Sequence, residues 1–138
     1  MDSGVIIVVA VLVVGTAFGL IRMRTDGKVN LHVGSHHIHQ SELGHDMGSH
    51  ATVLQFSSPY CQPCKATHDL IAKHTENLVG VAHIDLQVAD HLDMVNKLHV
   101  LRTPTTVLLD RKGAVRYRTD GVPRMEEFAA ALNNLLSN

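Results

Sequence analysis

The sequence is short of cysteine and carries no surplus of either charge. Only 2 of its 138 residues are cysteine, too few for the disulfide framework on which many small secreted domains rely. Lys and Arg number 12 against 13 for Asp and Glu, a formal net charge of -1, with the two signs scattered rather than blocked. That balance argues against a nucleic-acid partner. The chain is also too short for a multidomain enzyme, because one domain already takes about 100 to 150 residues. What it holds in quantity is histidine, 11 residues, and one long apolar run.

No charged side chain interrupts Val5 to Ile21, a run of 17 residues. A helix rises about 1.5 Å per residue and needs roughly 17 to 25 apolar residues to cross a bilayer. Residues 1–24 are therefore expected to form one transmembrane helix, with the lipid bilayer as its partner. Arg22 and Arg24 follow the run and can snorkel to the headgroups. A cleaved secretory signal would carry basic residues ahead of its apolar core, whereas the only charged side chain there is Asp2. An uncleaved, single-pass anchor in the cell membrane is the expectation. Arg22, Arg24 and Lys28 all lie after the span, so the positive-inside rule puts the remainder in the cytoplasm. Gly15 and Gly19 have the small-x-x-x-small spacing of close helix pairs, a spacing that a lipid-facing helix also tolerates.

Residues 25–50 are polar and rich in Gly, Ser and His, and read as a linker with a short strand at Lys28 to Val33, where Val29, Leu31 and Val33 alternate. Six histidines fall here: His32, His36, His37, His39, His45 and His50. Imidazole is a common metal ligand, so a metal-binding tract is one reading. Against it, His36, His37 and His39 lack the i, i+4 spacing that sets two ligands on one helical face, and no cysteine stands nearby. A solvated, mobile linker is the preferred reading, and no metal site is assigned.

From residue 51 the pattern changes. Ala51 to Ser57 is a short apolar, β-branched run expected to form a buried strand, and Cys61 to about Leu78 has helical spacing. A second strand is expected over Val79 to Leu86, a short helix over Asp90 to His99 and a third strand over Thr105 to Leu109. The Asp110 to Gly113 turn leads into a hairpin partner at Ala114 to Arg118. A final helix runs from Pro123, in its first turn, to about Leu136. This order predicts an α/β domain over residues 51–138: a mixed sheet between two helical layers, the first strand pairs parallel and the last a hairpin. Asp85, Asp90 and Asp93 are expected to end a strand and cap a helix rather than bind metal.

The two cysteines stand three apart as Cys61-Gln62-Pro63-Cys64, directly after the strand and at the start of the helix. There the Cys61 sulfur faces free backbone N-H groups and the positive end of the helix dipole, both of which favour the thiolate. Cys64 lies one turn on, within reach for a ring-closing disulfide. Pro63 has no N-H to leave unpaired in that turn. The arrangement suits attack by Cys61 on a disulfide, followed by release through Cys64. Half of a zinc site is the competing reading, but there is no second C-x-x-C and no His pair at finger spacing after Cys64.

At these residues the chain resembles the thioredoxin family. Tyr60-Cys61-Gln62-Pro63-Cys64-Lys65 is similar to the family's Trp-Cys-Gly-Pro-Cys-Lys, and Thr103-Pro104-Thr105, beginning 39 residues after Cys64, is similar to its cis-proline loop. The element order agrees from about Ala51 to Leu136. The resemblance implies a thioredoxin-like three-layer sandwich behind one transmembrane helix, as in membrane-tethered bacterial relatives. It implies a thiol-disulfide oxidoreductase with Cys61 and Cys64 as catalytic residues and no cofactor. Protein disulfides would be its clients and a thiol its electron donor. Tyr60, Gln62, Pro63, Thr103 and Pro104 would form the docking surface, with the Thr103 backbone pairing with an extended client segment. Gly121 resembles a family glycine that keeps this surface flat, and a turn glycine is the alternative.

Two departures stand out. Where the family carries a buried carboxylate, six residues before the first cysteine, this chain has Gln55, which cannot take a proton. The lysine of the neighbouring strand reads as replaced by Val81. A resolving step then requires water or His68 to accept the Cys64 proton. His68 and His74 are otherwise read as partly buried helix residues. The alternative function is a binding module or metal carrier of the same fold, using the cysteine pair and the histidine tract.

Overall fold

A computed structural model describes residues 3–31 and 36–138. Helix α1, Ser3–Thr25, has 23 residues and none of them is buried. At about 1.5 Å per residue it is roughly 34 Å long, against about 30 Å of hydrocarbon in a bilayer. It is long and apolar enough to cross a membrane. Strand β1 follows at Asn30–Leu31 and the single-turn helix α2 at Gln40–Leu43. Then come β2 (Ala51–Ser57), α3 (Gln62–Thr75), β3 (Val81–Gln87), α4 (Leu92–Lys97), β4 (Thr105–Asp110), β5 (Val115–Asp120) and α5 (Met125–Ser137). The expected strand over Lys28 to Val33 is thus present at Asn30–Leu31, and His32 and Val33 lie outside the described residues.

The five strands form one mixed sheet in the order β1-β5-β4-β2-β3. β2 is central and all seven of its residues are buried, which explains its mostly apolar composition. Alternate residues of β2 and β4 feed two cores. Val53 and Leu108 pack with Ile71 of α3 and with Phe128, Ala131 and Leu132 of α5. Leu54, Phe56, Val107 and Leu109 pack on the opposite face with Met94 of α4 and Leu98. In α3 the buried residues Cys64, Thr67, Ile71 and Thr75 fall at spacings of three and four, one stripe of a helix.

Only the β2–β3 pair is parallel; β4 runs antiparallel to β2, a correction to the expectation of successive parallel pairs. The reason is length. A six-residue α4 rises about 9 Å, too little to return the chain along a seven-residue strand of about 23 Å. The chain stays at the carboxyl end of β2 and β3 and re-enters the sheet there, with Thr105 opposite Phe56. Pro104 and Cys61 consequently share one end of the sheet. Pro123 precedes α5 by two residues instead of lying in its first turn.

The segment read as linker is in part built into the domain. Ile38 and Leu43 are almost fully buried and belong to the core cluster that contains Phe56 and Leu109. Ile38 N donates to Gly113 O at 2.9 Å, His37 bridges Ala114, and Glu42 of α2 pairs with Lys97 of α4 at 2.7 Å. His39 N donates to the Glu42 carboxylate at 2.8 Å, and this bond, with Lys97, holds Glu42 below the usual carboxylate range. Two isolated apolar side chains, rather than a periodic run, fasten the stretch.

Candidate active site

Cys61 is the N-cap of α3 and Cys64 lies in its first turn. The two are disulfide-bonded, with Cα atoms 5.2 Å apart. Cys64 N donates to Cys61 Sγ at 3.2 Å, so a free helix-terminal donor is already aimed at the outer sulfur. Cys61 is half-buried, whereas Cys64 is 3% exposed. Tyr60, at φ 62°, turns its side chain fully into solvent beside Cys61. Gln62 and Pro63 are exposed on the same turn.

The loop before β4 completes this end of the sheet. The Thr103-Pro104 peptide bond is cis. Thr103 Oγ1 lies 3.8 Å from Cys61 Sγ and 2.9 Å from Ser58 Oγ. Pro104 is buried, and its carbonyl accepts from Gly121 N at 2.7 Å. Gly121 has φ 89°, a backbone conformation that calls for glycine, while the nearest obstacle to a Cβ is the movable end of the Arg102 side chain. Tyr60, Gln62, Pro63, Thr103 and Pro104 are thus gathered around one disulfide, although they come from two loops about 40 residues apart.

Beneath α3 lies a polar layer that the sequence reading described incompletely. Gln55, fully buried, donates through Nε2 to the Cys64 carbonyl at 2.9 Å and to Ser57 Oγ at 3.1 Å. Its Oε1 lies 3.1 Å from His83 Nε2. Val81, by contrast, pairs with Ala51 at the far end of β2, whereas His83, opposite Val53, reaches Gln55 through its side chain. The error is one of register: a two-residue shift along a strand keeps the face and changes the partner. Burial and the neighbouring His68 push the His83 pKa down to about 4, with Asp85 opposing. A neutral His83 serves as donor to Gln55, and the layer carries no charge at this point.

Asp85 does not end its strand. It sits inside β3 opposite Gln55, and its Oδ2 lies 3.2 Å from His68 Nδ1. The His68 and His83 rings are 4.8 Å apart. Asp90 precedes the α4 N-cap, which is His91, and Asp93 lies in the first turn. His74 packs edge-on against Phe128, 5.9 Å away. Among the described residues no three His, Cys, Asp or Glu side chains gather as a metal-holding group. The functional neighbours that sequence reasoning missed are His83 and Asp85. Their signal was alternation: both stand on the face of β3 that β2 turns toward α3.

A cleft of about 430 Å³, open to solvent, runs from the disulfide along α3 and is lined by Tyr60, Cys61, Cys64, His68, Asp85 and six other residues.

Residues 46–136 match the family described as Thioredoxin-like domain. Among curated proteins no relative matches. Solved structures similar to the chain include thioredoxin from Trypanosoma brucei brucei, at 20% identity and a TM-score of 0.57, covering 66% of this chain and 79% of that one. Thioredoxin f from spinach chloroplast is similar at 21% identity and a TM-score of 0.57, over 64% and 78% of the two chains. A thioredoxin from Nicotiana alata is similar at 24% identity and a TM-score of 0.55, over 62% and 73%.

Proposed function

Because the chain belongs to the thioredoxin-like family, we propose that this thiol-disulfide oxidoreductase works tethered to a membrane, reducing or exchanging protein disulfides close to the bilayer. The observation that carries the reading is the unequal exposure of the two sulfurs at the start of α3, one half-exposed and one buried. In the reduced protein Cys61, backed by the Cys64 N-H and the helix terminus, is the nucleophile. Its thiolate attacks a client disulfide, one client sulfur leaves as thiolate, and a mixed disulfide remains. Cys64 then attacks Cys61 Sγ and releases the second client sulfur. The client gains two electrons and the cysteine pair loses them, so an external thiol must restore the pair.

Tyr60, Gln62, Pro63, Thr103 and Pro104 form the docking surface in this reading, and Thr103 hands the client backbone toward Cys61. α1 is the tether. Arg22, Arg24 and Lys28, following the span, favour a cytoplasmic domain by the positive-inside rule, where thiol systems are kept reduced and the domain acts as a reductant. Residues 1–24 as anchor, 25–50 as connection and 51–138 as catalytic domain is the proposed division, with Ile38 and Leu43 of the connection fastened to the domain.

The full chain in detergent is expected to reduce a protein disulfide in the presence of a dithiol. Cys61→Ser is expected to abolish turnover and Cys64→Ser to accumulate mixed disulfide, seen as a mass adduct that reductant removes. Equal turnover in all three forms would sink the enzymatic reading. Labelling a surface cysteine, engineered into the Cys61→Ser, Cys64→Ser background, with an impermeant reagent in intact cells tests the side.

A further inference from the structure

Closing the disulfide needs Cys64 as a thiolate, yet Cys64 is 3% exposed and its polar neighbour from β2 is an amide that cannot accept a proton. Among the groups lining the cleft beside it that can, Asp69, Asp85 and His68, His68 is the one placed one turn after Cys64 on its own helix. His68 follows Cys64 by four residues on α3, so the two side chains share a face with Cβ atoms about 6 Å apart. Both line the same solvent-open cleft. His68 Nδ1 lies 3.2 Å from Asp85 Oδ2 without making a hydrogen bond, so an imidazole that gains a proton there stands beside a carboxylate. Asp85 Oδ1 is buried without a hydrogen-bond partner, a carboxylate that gains when the imidazole beside it becomes positive.

We propose that His68, positioned by Asp85, is the proton acceptor for Cys64 when the disulfide closes and its proton donor when the disulfide opens. This deepens the oxidoreductase reading and rests on it. In the closing direction the Cys64 S-H proton passes to His68 Nε2, directly or through a cleft water. The Cys64 sulfur then attacks Cys61 Sγ. The Cys61–Cys64 bond forms, the Cys61–client bond breaks, and its electron pair leaves on the client thiolate. From β3, His68 is faced by Asp85 and His83; along the cleft lie Tyr60 and, on its own helix, Lys65 and Asp69. His83 stays neutral near neutral pH and does not line the cleft that Cys64 and His68 share.

The test mixes the reduced full chain, in detergent, with excess dithiobisnitrobenzoate under stopped flow. Attack by Cys61 releases one coloured thiolate; resolution by Cys64 releases the second. In His68→Gln the first phase is expected to keep its rate while the second slows about 100-fold, the lower range of general-base effects. Asp85→Asn is expected to slow the second phase less, and the double variant no more than His68→Gln alone, as for two residues acting as one unit. Added imidazole is expected to restore the second phase in His68→Ala in proportion to its concentration, which a structural role for His68 would not produce. A second phase in His68→Gln within twofold of the parent, or His68→Ala indifferent to imidazole, overturns the proposal. A parent chain that releases only one thiolate overturns the oxidoreductase reading, and the proposal with it.

Discussion

The residue pair that distinguishes this site is Gln55 with His83. A carboxylate and a lysine buried at these places would bring two charges into the sheet, costly unless each is satisfied; an amide and a neutral imidazole make the same bridge without charge. His83 carries a pH consequence. Its folded pKa, pushed to about 4 by burial first and by His68 second, lies below the ordinary 6.5. Between those values the unfolded chain binds a proton that the folded chain does not. This contribution to stability is therefore fully present above about pH 6.5 and is lost as pH falls toward and through about 4. Discounted for the partial exposure of the ring, the loss is about 1–2 kcal/mol. Urea midpoints at about pH 7.5 and pH 5 are expected to fall for the parent and to change far less in His83→Gln, which keeps a donor for Gln55. Equal shifts in both chains would show that His83 is not the responsible group. Gln55→Leu is expected to cost about 2 kcal/mol, because the Cys64 carbonyl and His83 then lose their buried partner; its urea midpoint checks this.

At the scale of elements, legibility followed local patterning. β2 with its mostly apolar run and α3 opening at Cys61 and Pro63 could be read from the sequence, and with them the position of the disulfide at a helix start, although α3 ends at Thr75 rather than near Leu78. The cis-proline loop was legible only through resemblance, since nothing in Thr103-Pro104-Thr105 itself says which end of the sheet it occupies. What escaped was non-local. The direction of β4 follows from the shortness of α4, and the Gln55–His83 pairing from the register of β2 on β3, neither of which spacing within one segment reveals. Ile38 and Leu43 escaped because single apolar residues among histidines and serines make no period. Their burial is testable. Leu43→Ala is expected to destabilise the domain by about 2–4 kcal/mol, the cost of emptying a fully buried leucine site. An unchanged urea midpoint would mean that α2 does not dock in solution.

Across the whole molecule, the most consequential feature is how little chain separates α1 from the site. α1 ends at Thr25, and Gly27, buried at φ 74°, already donates from its N to Asp120 O at 3.2 Å. A Cβ on Gly27 would collide with the Val122 carbonyl. Around it Arg102 pairs with Asp26 at 3.1 Å, Arg124 Nη2 donates to Arg24 O at 2.7 Å, and Val29 N donates to Glu127 at 2.9 Å, a bond that lowers the Glu127 pKa. From Asp120 the path to the reactive sulfur is short: Gly121 N binds Pro104 O, and neighbouring Thr103 touches Cys61. The Thr103-Pro104 loop is thus joined to the end of α1, the tether in the proposed function, through Asp120 and Gly121. If α1 is the tether proposed above, such a mount would fix the height of Cys61 above the bilayer and raise its effective concentration toward disulfides at that height; slack between α1 and the domain would dilute it. Inserting about ten Gly and Ser residues between Thr25 and Asp26 is expected to leave reduction of a soluble peptide disulfide within about twofold. In the same vesicles it should slow reduction of a disulfide engineered a few residues from the end of another single-span protein about tenfold. Equal slowing of both substrates would indicate a damaged domain, and no slowing of either would show that the stitched junction has no part in choosing clients.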